Sequence, residues 1–194
     1  MRYLQLLLLV FMLPLATYAQ SEVEVKEGNV KMGKKKMWAF SATYRHDKSV
    51  TAAVLDKNME DAKLKRSSRK KGVQAYKAAQ WPAVSDTRGD YYYRVRSKKG
   101  KTTVYMVASK GYDNYVTTTN DAATAAKVTQ YLQRLDGQIA AQEAIQQKEV
   151  EMKQLEAKNA AMAKELEASK EAQAKKAKEV RELRATQFAP APVK

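Results

Sequence analysis

The sequence predicts an α+β protein: a small, mainly antiparallel sheet with one or two packed helices, followed by a long C-terminal helix that forms a coiled coil. Two observations carry this. From Glu22 to about Thr119 the pattern changes every few residues, with strand-like alternation broken by short turns and one helical stretch. From Asp121 to Gln187 there is no proline and one glycine, and Ala, Glu, Lys, Gln and Leu, all strong helix formers, dominate.

The chain opens MRYLQLLLLVFMLPLATYAQ: an early Arg2, an apolar run broken by Pro14, and a small-x-small exit at Thr17-Tyr18-Ala19. This is the three-part layout of a secretory signal, residues 1–19, cut after Ala19. A bilayer-spanning helix wants about 20 apolar residues, more than this interrupted run supplies. The chain contains no cysteine and no Asn-x-Ser/Thr sequon. A disulfide framework, a thiolate metal site and a lipid-modified cysteine are thereby excluded, and the expected home is a bacterial periplasm or the exterior of the cell.

Residues 20–119 read as a basic head. "EVEVK" alternates Val23 and Val25 with charges, "NVKMGKKK" reads as a polar turn too long for a tight hairpin, and Met37 to Tyr44 places Trp38, Phe40, Ala42 and Tyr44 on one strand face. Asp47 is the expected N-cap of a helix reaching about Lys65, with Ala52, Leu55, Met59 and Ala62 at helical spacing. Three more strands follow: "VQAYKAAQW" up to Pro82, then "YYYRVR" and "TTVYMVA" joined by a turn at Gly100. The expected order is strand, strand, helix, strand, strand, strand, helix.

Asn120 is the expected cap of the final helix. In residues 120–137 the residues Val128, Leu132 and Leu135, with Ile139 just beyond, keep a four-three-four rhythm that packs on or leaves the head. After Gly137 the frame slips, and residues 138–187 carry a weaker seam in which Ile145, Met152, Leu155, Asn159, Met162, Leu166, Val180 and Leu183 are the candidate oligomerisation positions. Asn159 on that seam favours a defined register at some cost in stability. At 1.5 Å per residue the final helix is on the order of 100 Å long, more than a small head can cover. Residues 188–194, "FAPAPVK", form a Pro/Ala tail expected to be disordered.

Charge is unevenly spread. The net charge is +15, and Gln20 to Gly137 holds 24 Lys plus Arg against 12 Asp plus Glu, whereas Gln138 to Gln187 holds 10 against 9. "KLKRSSRKKG", Lys63 to Gly72, packs six positive charges into ten residues. Lys63, Lys65, Arg66, Arg69, Lys70 and Lys71, with Lys98, Lys99 and Lys101, are the candidate anion-binding residues, and Lys34 to Lys36 form a third basic loop. Such a field draws anionic, extended partners: anionic lipid, lipopolysaccharide or a cell-wall polymer. Tyr92, Arg94 and Arg96 share a strand face, as in single-stranded nucleic acid binders, but a half-buried strand reads the same way and an exported protein meets little nucleic acid.

Enzyme chemistry has little support. His46 is the only histidine, with no positioned nucleophile beside it, and Asp56, Glu60 and Asp61 read as a solvated helix face neutralised by Lys57 and Lys63. No phosphate loop or Ca²⁺ loop occurs, and no metal or cofactor is expected. A hydrolase would need a pair of carboxylates facing each other in a cleft together with His46.

Signal, compact head ending "TTVYMVASKGYDNYV" and capped helix running into a Lys/Glu/Ala/Leu coiled coil together resemble a family of uncharacterised exported bacterial proteins, a resemblance of architecture that implies no activity. The chain is more loosely similar to the Skp/OmpH-type periplasmic chaperones, which are exported, basic, cysteine-free and built on coiled-coil arms around a small strand core. Those arms are hairpins, whereas "GQIAAQEAIQQ" onward has no turn and no returning helix. The expected function is a non-enzymatic structural or binding role, with the basic head drawn to an anionic envelope surface and the coiled coil giving a homo-oligomer. The alternative is a holdase chaperone for unfolded envelope client proteins.

Overall fold

The structure, a computed structural model, describes residues 23–187. The expected signal segment and the Pro/Ala tail lie outside them. Among the described residues no helix is long and apolar enough to cross a membrane.

Among the described residues, six antiparallel strands and two helices follow in the order β1 (Val25–Met32), β2 (Lys35–Tyr44), α1 (Lys48–Asp61), β3 (Ser68–Lys70), β4 (Val73–Gln80), β5 (Arg88–Lys98), β6 (Lys101–Ser109) and α2 (Ala122–Gln187). The sheet order is β1-β2-β6-β5-β4-β3. The expected α+β class with a long C-terminal helix is what the chain forms.

Several boundaries differ from expectation. β1 and β2 pair through to Met32 opposite Lys35, so the loop expected to be long is a two-residue turn at Gly33 and Lys34. Gly33 at φ +69° supplies the left-handed first position that such a turn requires. Of the lysines that read as a loop, Lys31 lies in β1 and Lys35 and Lys36 in β2, and Lys34 alone stays in the turn. A further strand, β3, pairs with β4 through a turn at Lys71 (φ +52°) and Gly72 (φ +75°), and the β5–β6 turn repeats this with Lys99 (φ +53°) and Gly100 (φ +71°). Both turns have two left-handed residues, the conformation that matches strand twist. α1 stops at Asp61, short of Lys65, where the chain turns through a left-handed Lys63.

The helix starts are fixed by side chains. Asp47 caps α1 as expected, its carboxylate accepting from Ser49 N at 2.6 Å. The cap of α2 is Asp121 rather than Asn120: Asp121 Oδ1 accepts from Thr124 N at 3.1 Å, while Asn120 accepts from Thr117 N and holds the preceding turn.

One sheet face, the inner face, is covered by α1 and the first turns of α2. Phe40, Ala42 and Tyr44 of β2, Val104 and Met106 of β6, and Tyr91 and Tyr93 of β5 pack there with Leu55 and Met59 of α1. Val128, Leu132, Leu135 and Ile139 of α2 complete this core and are fully buried. Trp81 closes one end, edge-on to Tyr91 at 5.3 Å and Tyr131 at 4.9 Å between ring centroids. Tyr44 donates to the Leu132 carbonyl at 2.7 Å. Asn58 of α1 donates to Tyr131 Oη at 3.0 Å and Gln138 Oε1 at 2.8 Å. Residues up to Glu143 form one compact unit, and a second begins at Ala144.

Burial raises the pKa of the Tyr44 and Tyr93 phenols and pushes Tyr131 up to about 12. The free phenol titrates near pH 10, so above that value the unfolded chain releases protons that the fold retains. The contribution of these groups is complete below about pH 10 and is lost as the pH rises toward 12, at about 1.4 kcal/mol per pH unit per tyrosine. A pH titration with tyrosinate absorbance and circular dichroism read together should show one cooperative transition in this range. Full ionisation with the fold intact would contradict the packing described.

Gly137 lies inside α2, exposed, with nothing within 4 Å of an added Cβ. Gly137→Ala should therefore stabilise the protein by about 0.5–1 kcal/mol, read as an increase in the thermal midpoint; a decrease would show that the site is not open.

Candidate functional site

Among the described residues, no helix lies on the opposite sheet face. Because side chains alternate along a strand, Tyr92, Arg94 and Arg96 of β5 point outward while Tyr91 and Tyr93 are buried. Met32, Met37, Ala39 and Val107 form a second apolar cluster on this open face, against which Val73, Tyr92, Tyr105 and Tyr115 pack.

Register places the β3–β4 and β5–β6 turns at one end of the sheet and the β1–β2 turn at the other. Twist accumulated over six strands brings diagonal corners together over a concave face. Arg94 Nη1 accordingly donates to the Lys31 carbonyl at 3.3 Å, across β6 and β2. The result is a depression of about 310 Å³ with Met32, Met37, Val73, Ala75 and Tyr92 as floor and wall and Lys34, Lys70 and Lys71 beside it. A second, polar depression of about 380 Å³ lies by Lys26, Ser41, Thr43, Arg45 and Lys101.

The structure distributes the expected anion-binding residues unequally. Lys63 and Lys65 are exposed in the loop after α1, Arg69 and Lys70 are exposed in β3, and Lys71 occupies the β3–β4 turn. Lys98, Lys99 and Lys101 surround the β5–β6 turn at the same end of the sheet. Arg66 is engaged internally: its Nη2 lies 2.6 Å from Asp56 Oδ1, which also accepts from Tyr93 Oη at 2.5 Å, and the Arg66 guanidinium pKa is raised chiefly by its bond to Tyr76 Oη. Asp56 is thus not part of a solvated face but the link between α1, β5 and the basic loop. Burial and then the nearby Arg96 lower the guanidinium pKa of Arg94. Lys34, at the tip of the curled hairpin, joins Lys70 and Lys71 across the face, a meeting of residues nearly forty positions apart that no local pattern signals.

His46 sits with Nε2 at 3.2 Å from Asp136 Oδ1 and Nδ1 at 2.8 Å from Glu143 Oε2. Glu143 also accepts from Asp47 N at 3.1 Å, and Thr102 donates to the His46 carbonyl at 2.7 Å. Two carboxylates therefore do flank the only histidine. Both ring nitrogens face these carboxylates. His46 lines none of the cavities described, and no group of His, Asp or Glu suited to holding a metal occurs among the described residues. The arrangement fastens the β2–α1 junction to α2.

From Ala144 onward the helix is exposed on all sides among the described residues. The seam positions Ile145, Met152, Leu155, Met162, Leu166 and Val180 are each 48–59% exposed. Asn159 and Leu183 are exposed as well, as is Val150, which falls outside the expected frame.

Compared with protein-family models, curated proteins and solved structures, the chain matches none.

Proposed function

We propose that this is an exported, non-enzymatic binding protein whose basic head is drawn to an anionic envelope surface or polymer and whose C-terminal helix joins copies of the chain. The observation that carries the reading is the open sheet face: lysines from three hairpin turns surround or flank an apolar and tyrosine-bearing surface. Basic groups beside aromatic and apolar side chains suit the boundary between an anionic headgroup layer and water. The signal-like first nineteen residues support export, and an exported form should begin at Gln20 or Ser21 by mass spectrometry. An intact Met1 in that fraction would remove this part of the reading.

Attraction by charge is sensitive to salt, because the Debye length falls from about 10 Å at 0.1 M to about 3 Å at 1 M. The chain from Gln20 should cosediment with phosphatidylglycerol vesicles at the lower salt, be released at the higher, and ignore phosphatidylcholine. Neutralising Lys65, Arg69, Lys70 and Lys71 should weaken binding while altering stability by no more than about 0.5 kcal/mol. Arg66 is left in place because its loss would strand Asp56. Suppression of aggregation of an unfolded outer-membrane protein, with vesicles ignored, would favour the holdase alternative.

Self-association rests on the exposed seam, since a long helix retains an apolar stripe at this spacing only by burying it against another helix. Sedimentation equilibrium should report an oligomer at micromolar concentration. The double substitution Leu155→Lys with Leu166→Lys should yield a monomer with an intact head. A monomeric unsubstituted chain would defeat the idea.

A further inference from the structure

Some cations of the head stand beside carboxylates: Lys35 lies 3.6 Å from Asp113, Lys110 is 3.0 Å from Asp121 and Lys127 is 2.8 Å from Asp86. The three lysines around the depression on the open face are not among them. No carboxylate among the described residues lies within 4.0 Å of the ammonium of Lys34, Lys70 or Lys71. These three groups come from short turns and a paired strand, so their stems spring from a well-defined backbone. The surface between them is apolar. Met32 and Met37 are buried there, and methionine is the apolar side chain that best adapts its shape to an incoming chain. A volume of about 310 Å³ is at the low end for small-molecule sites and suits a segment of one flexible chain rather than a folded partner.

We propose that this depression is a binding slot for a single-chain anionic amphiphile, with the acyl chain on Met32, Met37, Val73 and Tyr92 and the anionic head against the ammonium groups of Lys34, Lys70 and Lys71. The inference deepens the surface-binding reading and rests on the same open face. Neither half of such a ligand is sufficient alone: an anion without a chain leaves the half-buried Val73 and Tyr92 uncovered, and a chain without charge leaves three like charges uncompensated. The curl of the β1–β2 hairpin is what assembles the slot, since it carries Gly33 and Lys34 from the far end of the sheet to Lys70.

Dodecanoate, kept below its micelle concentration, is the probe, applied to the chain from Gln20 labelled with ¹³C at the methionine methyls. The Met32 and Met37 resonances should shift saturably, while Met59 and Met106, buried on the inner face, should stay in place and report the intact fold. Dodecanol and acetate should each bind at least about tenfold more weakly than dodecanoate. A triple variant, Lys34→Gln, Lys70→Gln and Lys71→Asn, should lose at least about tenfold in dodecanoate affinity with unchanged Met59 and Met106 signals. Asn is chosen at 71 because it accepts the left-handed turn. Silent Met32 and Met37 resonances, or a triple variant that binds as well as the unsubstituted chain, would overturn the slot. Phosphatidylglycerol vesicles run in parallel separate the two readings. Bound vesicles with silent methionines overturn the slot and leave the surface attraction standing; shifting methionines with vesicles ignored uphold the slot and remove the surface attraction.

Discussion

Everything in the head depends on the docking of the first turns of α2 across the inner face of the sheet. Val128, Leu132, Leu135 and Ile139 are all buried there, and the Tyr44 hydroxyl reaches into the helix to donate to the Leu132 carbonyl. A bond from a buried phenol to a helix carbonyl ties strand and helix at a fixed height, since leaving that hydroxyl unpaired away from water costs about 1–3 kcal/mol. Once one face is closed in this way, no apolar element of the head among the described residues remains to close the other. The open face is thus a consequence of how the core is satisfied, and the properties of the candidate site follow from it.

The fold was legible where side-chain periodicity speaks for itself. The four-three-four rhythm of Val128 to Ile139, the alternation of Phe40, Ala42 and Tyr44, and the aromatic strands around Tyr91 and Val104 are local patterns that each declare one buried face. The shortest elements were not legible. Ser68–Lys70 is three residues of polar character, held in the sheet by its pairing with β4 rather than by any preference of its own. Lys35 and Lys36 read as loop because lysine is common in loops, yet strand positions that face water accept it equally. Lys-Gly steps occupy the tight two-residue turns at 71–72 and 99–100, but only the second stands between two aromatic and β-branched runs that mark it as a hairpin.

The candidate site was half legible for a related reason. Charge density at 63–71 is visible in the sequence, but which charges are free depends on tertiary partners. Arg66 and Asp56 are ten residues apart and meet only because α1 folds back beside β4 and β5. Lys34 reaches Lys70 only through sheet curl, a property summed over many strands. His46 shows the same limit from the other side: its two carboxylates lie ninety or more positions away, on the helix that passes it.

The two margins of the sheet carry a further consequence. A strand with a free side offers a template to any other extended chain, and an exposed template is how sheet proteins polymerise. Here one margin is β3, too short at three residues to hold a foreign strand in register and carrying Arg69 and Lys70, both exposed. The other, β1, bears exposed Lys26 and Lys31, and its Glu27 is engaged by Thr118 from the segment preceding α2. On the β1 margin Lys26 lies 3.1 Å from Glu24, and the charged side chains there would have to give up water before a second backbone could pair. A short, basic β3 and a β1 edged with charged side chains would thus keep neighbouring heads from fusing through their sheets, so that each stays a separate folded body.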